Sequence, residues 1–310
     1  MRLKDRHLIV TGGARGIGAA CAARFVREGA HVLVVDLEPF PDGIEPLHET
    51  AIASAQADPV RDSTLGDPVR DSTLGDSADA PTLGGSANFP VLGDSARTPG
   101  HDAASSRDRI LFLRGDVRAR SCAEQALSMA LQHWGTVDGL LNNAGIIHGC
   151  PFLELRDEDF DRVLDVNLRA YFVFSQVVAR HMVAHAIRGS IVNMSSVNAL
   201  LAIPDQLPYA VSKGGVNQLT RVTAMALAAE GIRVNAVGPG TIATELARKA
   251  VLGSEAARRK ILSRTPLLRL GEPEEVAQVA AFLMSEEASY LTGQIVYPDG
   301  GRMALNYTTD

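Results

Sequence analysis

The chain has 310 residues, 46% of them hydrophobic and 21% charged, with a formal net charge of −6. That length fits one large α/β domain or two small ones with a sizeable core. The acidic balance argues against nucleic acid or an anionic membrane surface as a partner. The three cysteines, Cys21, Cys122 and Cys150, lie far apart. They suggest free thiols rather than a disulfide framework, and nothing near them has metal-ligand spacing, so no metal is expected.

From the amino end, residues 1–7 are polar and contain no signal-peptide core. No run of about 18 apolar residues follows, and the expected compartment is the cytoplasm. Short apolar runs then alternate with longer amphipathic stretches. His7–Thr11, His31–Asp36, residues 110–113, Gly139–Asn142, Ser190–Met194, Arg233–Val237 and residues 294–297 read as strands. They lack period-2 alternation, as strands covered on both faces should. Helices are predicted over residues 18–28, 121–134, 157–185 and 208–230, and from Pro273 onward. Ser121 and Glu124 have capping-box spacing, and Pro273-Glu274-Glu275 places proline at N1 with acids in the first turn. The alternation predicts an α/β fold: a single domain with a doubly wound, Rossmann-like parallel sheet.

One segment breaks the pattern. Residues 58–93 read DPVRDSTLG, DPVRDSTLG, DSADAPTLG, GSANFPVLG, a nonapeptide in four decaying copies. Its prolines block helix and its apolar residues are too few for a core. Residues 58–108 are therefore expected to be a disordered insertion between the second and third strands rather than a functional module. The Gly-Gly-x-Gly-x-Asp pattern of calcium-binding nonapeptide rolls is absent. A crossover helix is expected just before it, near residues 45–57.

Thr11-Gly-Gly-Ala-Arg-Gly-Ile-Gly18 sits where the first strand becomes a helix. Gly12, Gly16 and Gly18 let backbone approach a pyrophosphate, while Arg15 and Ile17 stand at a helix N-terminus with free N–H groups. Asp36 ends the second strand, where a carboxylate can accept from both hydroxyls of an adenosine ribose and would repel a 2′-phosphate. Leu37 follows it, so no cation waits there for a phosphate. Asp36 points to NAD as cofactor. Arg15 is a contrary hint, because it could reach a 2′-phosphate.

Tyr209 and Lys213 are i, i+4 on a predicted helix and share a face. A tyrosine with its ordinary pKa near 10 must lose about 3 units to act as a base near neutrality. A neighbouring ammonium and a cationic nicotinamide can supply that.

Taken together, these ordered motifs resemble the short-chain dehydrogenase/reductase family across nearly the whole chain except the repeat. Asp116-Val117 is similar to the family's adenine-binding pair. Asn142-Asn143-Ala144-Gly145 is similar to the motif that supports the sheet and lines the cofactor. Residues 239–244, with Pro239, Gly240, Ile242 and Thr244, resemble the loop that grips the nicotinamide carboxamide. Asn167 falls at the family's catalytic asparagine. The family's serine precedes its tyrosine by thirteen residues, which selects Ser196 over Ser195.

The resemblance implies that Ser196 and Tyr209 bind the substrate oxygen and that Tyr209 exchanges its proton. It further implies that Lys213 lowers the tyrosine pKa and binds the nicotinamide ribose, and that Asn167 relays protons through water. Asn198 stands where the family often has a small residue. It could contact a hydroxyl-rich substrate or simply cap a turn. His148 and Cys150 border the expected pocket, and a lid is expected over residues 245–268. The family commonly forms homotetramers through its two long central helices, here 157–185 and 208–230; a homodimer is the alternative.

The leading reading is NAD-dependent oxidation of a secondary alcohol or reduction of a ketone, with a small-molecule substrate such as a sugar or polyol. An NADPH-dependent ketoreductase, a non-catalytic NAD(H)-binding regulator and a repeat-based interaction protein are the alternatives.

Overall fold

In the computed structural model, the described residues are 1–39, 49–51, 109–244 and 255–305. They belong to one unit, Met1–Ile52 with Ser105–Asp310. The nonapeptide repeat, the rest of the 58–108 insertion, the start of the lid and the last five residues lie outside them.

Eight strands form one parallel sheet: β1 (His7–Thr11), β2 (His31–Asp36), β3 (Glu49–Ala51), β4 (Ile110–Arg114), β5 (Gly139–Asn142), β6 (Ser190–Met194), β7 (Arg233–Val237) and β8 (Ile295–Val296). Their order is β3-β4-β2-β1-β5-β6-β7-β8. With the three-residue edge strand β3 set aside, the remaining seven strands, counted along the chain, run 3-2-1-4-5-6-7. The strand order reverses between β1 and β5, which pair in parallel, and this switch point opens a crevice above their carboxyl ends.

The missing period-2 signal has a direct cause: both faces of the sheet are buried. Leu8 and Val10, Val32 and Val34, Phe112, Leu141 and Val192 point into one core with Phe25, Val276 and Ala280. Ile9, Leu33 and Val35, Leu111 and Leu113, Leu140 and Ile191 point into the other with Ala126, Val173 and Phe174. Helices α1 (Gly16–Arg27) and α7 (Pro273–Met284) cover the first face. Helices α2 (Arg120–Trp134) and α4 (Ala170–Ala184) cover the second. The remaining helices are α3 (Asp157–Leu164), α5 (Leu207–Leu227) and α6 (Glu255–Leu262).

Three expectations change. The predicted 157–185 helix is α3 and α4 joined through a π-turn, Asp165–Arg169, in which the Ala170 N–H donates to the Asp165 carbonyl. The capping box at Ser121 is absent: Ala119 is the N-cap and makes no side-chain cap bond, because the helix starts one residue before Ser121. A real capping box forms at α7, between Glu272 and Glu275. Where a crossover helix was expected near 45–57, Glu49–Ala51 is a strand paired with Phe112–Arg114; it meets the open ladder edge of β4, which a helix would leave unpaired. No helix among the described residues is long and apolar enough to cross a membrane.

Candidate active site

The glycine loop turns from β1 into α1 against β5. The Thr11 hydroxyl accepts from the Asn143 and Ala144 N–H groups at 3.0 and 3.2 Å. Asn143 returns the contact, its Nδ2 donating to the Thr11 and Gly12 carbonyls at 3.2 and 2.8 Å. A Cβ on Gly18 would sit 2.0 Å from the Gly12 oxygen, so only glycine lets the helix start this close to the loop. Arg15 is the N-cap of α1, is exposed and makes no side-chain cap bond; Gly16, Ile17 and Gly18 form the first turn, which holds no acidic residue. The end of the helix is thus open to an anion.

Asp36, at the carboxyl end of β2, bends back to this loop. Its Oδ2 accepts from the Ala14 N–H at 2.9 Å and its Oδ1 from the Glu38 N–H at 3.1 Å. An ionised carboxylate has about four acceptor positions, so both oxygens retain capacity for hydroxyl donors. Asp116, after β4, is held by the Arg118 guanidinium at 2.6 Å. Burial raises its pKa, but the Arg118 side-chain and backbone hydrogen bonds outweigh this and keep the carboxyl below its usual range. Val117 beside it is buried.

Four residues meet beyond the ends of β5 and β6. The π-turn carries Asn167, which is fully buried. Its Oδ1 accepts from the Ile146 N–H at 2.8 Å, and its Nδ2 donates to the Ile146 carbonyl at 2.9 Å and to the Ser212 hydroxyl at 3.1 Å. Lys213 Nζ donates to the Met194 carbonyl at 2.7 Å and lies 5.7 Å from the centre of the Tyr209 ring. Ser196 starts a short turn, where its hydroxyl accepts from the Asn198 N–H at 3.1 Å. With one lone pair taken by that N–H, its proton is free to be donated to Tyr209. Burial raises the Tyr209 pKa, and the Ser196 hydrogen bond works against that rise. Burial pushes Lys213 down to about 7. A Cβ on Gly145 would lie 3.4 Å from Asn167 Oδ1 and 3.8 Å from Lys213 Nζ, so glycine keeps open the space between these two groups.

The two adjacent serines have different partners. The Ser195 hydroxyl donates to Asn217 Oδ1 at 2.6 Å, and Asn217 in turn bonds Tyr297; Ser195 is thereby committed to holding α5 and the end of the sheet. The 239–244 loop stands alongside. The Pro239 carbonyl accepts from the Val197 N–H, and Gly240 donates to the Pro298 carbonyl. Ile242 is buried and bridges Gly271. Thr244 Cγ2 is 3.6 Å from a Cβ placed on Gly16, so this loop reaches the glycine loop. Asn198 bonds Gln206 at 3.1 Å. His148 lies 3.7 Å from Asp159, whose carboxyl Arg162 and Arg156 hold down to about 2. The Cys150 N–H donates to the Asp205 carbonyl.

Sequence reasoning passed over Thr11, Ser212 and Tyr171. Thr11 and Ser212 lie inside quoted motifs, yet their hydroxyl partners are remote in sequence. Tyr171 follows Asn167 by four residues, one helical turn, which was the available signal.

A glycine loop at an open helix end, a carboxylate on the second strand and a cluster of buried Ser196, Lys213 and Asn167 with half-buried Tyr209 fit a dinucleotide-dependent oxidoreductase site. The comparisons agree. A family described as short chain dehydrogenase matches residues 6–59, and one described as enoyl-(acyl carrier protein) reductase matches residues 92–302. The chain is 35% identical over 302 residues to 3-oxoacyl-[acyl-carrier-protein] reductase FabG of Thermotoga maritima, covering 97% of this chain and 99% of the relative. It is 34% identical to glucose 1-dehydrogenase 2 of Bacillus subtilis, covering 96% and 95%. A candidate 2-deoxy-D-gluconate 3-dehydrogenase from Agrobacterium tumefaciens, solved with bound NADP, superposes with a TM-score of 0.72 at 26% identity, covering 98% of each chain. The chain belongs to the short-chain dehydrogenase/reductase family, whose members implied here are nicotinamide-dependent enzymes acting on CH–OH groups.

Proposed function

We propose that the chain is an NAD-dependent dehydrogenase that interconverts a secondary alcohol and its ketone, with Tyr209 as the acid and base. The observation that carries this reading is the cluster in which half-buried Tyr209 hydrogen-bonds the Ser196 hydroxyl and has Lys213 Nζ 5.7 Å from its ring centre. The glycine loop, the open end of α1 and Asp36 suit the pyrophosphate and ribose of a dinucleotide, and the bound nicotinamide supplies the hydride acceptor or donor.

During alcohol oxidation, Ser196 and Tyr209 hold the substrate oxygen. The proton would pass from the substrate oxygen to the Tyr209 phenolate as hydride leaves the carbon that bears that oxygen, forming the carbonyl. Burial disfavours both a lone phenolate and a lone ammonium. Tyr209 and Lys213 therefore act as a coupled pair, each charge stabilising the other. Asn167 and the space kept by Gly145 lead from Lys213 toward a water that returns the proton. In the reducing direction Tyr209 is the acid.

Asp36 favours NAD, because a 2′-phosphate beside its carboxylate costs several kcal/mol. An NADPH-dependent ketoreductase is the second reading, favoured by the exposed Arg15 at the open helix end. The substrate class we infer is a small hydroxylated metabolite such as a sugar or polyol. The Asn198–Gln206 pair and the similarity to glucose 1-dehydrogenase 2 and to the candidate 2-deoxy-D-gluconate 3-dehydrogenase support it. We further infer a homotetramer, or a homodimer, through the outer faces of α4 and α5, where Phe172, Val183, Val222 and Met225 are exposed. Cytoplasmic residence, without nucleic-acid or membrane partners, completes the proposal.

The test is a panel of sugars, polyols, simple secondary alcohols and hydroxysteroids with NAD⁺ and with NADP⁺, following the absorbance of the reduced cofactor. Faster turnover with NAD⁺ on a hydroxylated metabolite is expected. Turnover only with NADP⁺ overturns the cofactor choice, and no turnover on any secondary alcohol or ketone overturns the reaction.

A further inference from the structure

Two i, i+4 pairs face each other across the site. Tyr209 and Lys213 share one face of α5; Asn167 and Tyr171 follow one another at the same spacing through the π-turn into α4. Tyr171 is 1% exposed and is the largest of the fully buried side chains. Its phenol has no place in the proton path described above, yet it touches the group on which that path depends.

Lys213 Nζ lies 3.4 Å from the Tyr171 hydroxyl and 5.2 Å from the centre of its ring. The Tyr171 hydroxyl donates to the Met194 carbonyl at 3.4 Å, and Lys213 donates to that same carbonyl at 2.7 Å. The Tyr171 oxygen therefore turns lone pairs toward Nζ. Both the Tyr171 and Tyr209 rings lie within the roughly 6 Å over which a cation is attracted to an aromatic face. Met194 immediately precedes Ser195 and Ser196, so one carbonyl ties the lysine, Tyr171 and the serine turn together.

We propose that Tyr171 is a positioning residue for Lys213, holding the ammonium between two aromatic faces with its own ring and hydroxyl. The inference rests on the reading of Tyr209 and Lys213 given above. Three groups face Nζ: Tyr209 from its own helix, Tyr171 from α4 and the Met194 carbonyl from β6. No carboxylate among the described residues pairs with it, and burial alone lowers its pKa. Tyr171 thus supplies stabilisation of the charge that an acidic neighbour would otherwise give. Burial also keeps Tyr171 itself neutral, by raising its pKa well above the ordinary value. It cannot compete with Tyr209 for the role of base.

The chain contains only four lysines, so the charge on Lys213 can be followed directly by NMR of protein carrying ¹³Cε-labelled lysine, without cofactor or turnover. In the parent protein one resonance is expected to titrate near 7, well below the ordinary lysine value of about 10.4. Tyr171→Leu removes ring and hydroxyl and is expected to lower that midpoint by about one unit. Tyr171→Phe keeps the ring and should lower it by less. Phe174→Leu, equally buried on the same helix, controls for loss of packing and should leave it in place. If Tyr171→Leu does not fold, the fall in Tyr171→Phe carries the test.

An unmoved midpoint in the folded Tyr171 variants, or an equal fall in Phe174→Leu, overturns the proposal. Neither result bears on the assignment of Tyr209, which turnover tests separately.

Discussion

The two ends of the sheet bury titratable groups for opposite purposes. At the carboxyl ends, Ser196, Tyr209, Lys213 and Asn167 converge from three different elements, and burial opposes the charge on both Tyr209 and Lys213. At the amino ends, His7 and His31 start adjacent strands and stack at 5.2 Å, with Trp134 5.4 Å from His7. His181, in the last turn of α4, and His185, its C-cap, have ring centres 4.4 Å apart. Burial and cationic neighbours lower the pKa of His31, as burial and His185 do for His181. The lowered values favour the neutral forms of His31 and His181, whose rings serve as packing. The lesson is that burial of an ionisable group is not by itself a functional signal. What differs is the set of neighbours: Tyr209 has Lys213 Nζ 5.7 Å from its ring centre, whereas His31 has the cationic Arg109 beside it and His7 lies 3.3 Å from the Asp138 carboxylate.

The comparison can be broken from either end. The largest effect is expected at Lys213. Lys213→Met should cut alcohol oxidation at neutral pH by about 10³-fold, with partial recovery as pH rises toward the tyrosine's own range. Rates followed across pH check this, and an unchanged rate would place the charge elsewhere. A smaller effect is expected where the cofactor half begins. Asp36→Ala removes the like-charge penalty and should shift the ratio of NADP⁺ to NAD⁺ turnover upward by about 10²-fold. Kinetics with both cofactors read that ratio directly.

The smallest effect belongs to the amino ends. His31 and His181 have folded-state pKa values below their unfolded value near about 6.5. Their contribution to stability is therefore present above that value and is lost as pH falls through the folded-state pKa. Melting temperature should decline from pH 7.5 to 5.5, and less steeply in a His31→Phe, His181→Phe double variant. An equal decline in the double variant would assign the acid sensitivity to other groups.

How much of this the sequence carried follows from where each signal lives. Seven of the eight described strands were legible because short apolar runs without alternation mark burial on both faces; β3, Glu49–Ala51, carries no such run. The pairing of Tyr209 with Lys213 was legible because their spacing is local to one helix. The π-turn at Asp165–Arg169 was not legible, since its residues keep ordinary helical composition and the bulge arises from the fit of Asn167 to the Ile146 backbone. The choice of Ala119 over Ser121 as N-cap depends on where β4 delivers the chain, which local spacing does not encode. Tyr171 was hidden for the same reason: its partner, Lys213, is 42 residues away.

The most direct test of the central claim is turnover by Tyr209→Phe, with protein integrity checked by its melting temperature. The substitution keeps the ring beside Lys213 and removes only the proton-carrying oxygen. With NAD⁺ and the best secondary alcohol from the panel, kcat is expected to fall by about 10³-fold while the protein remains folded. Full turnover in a folded Tyr209→Phe protein would contradict the account.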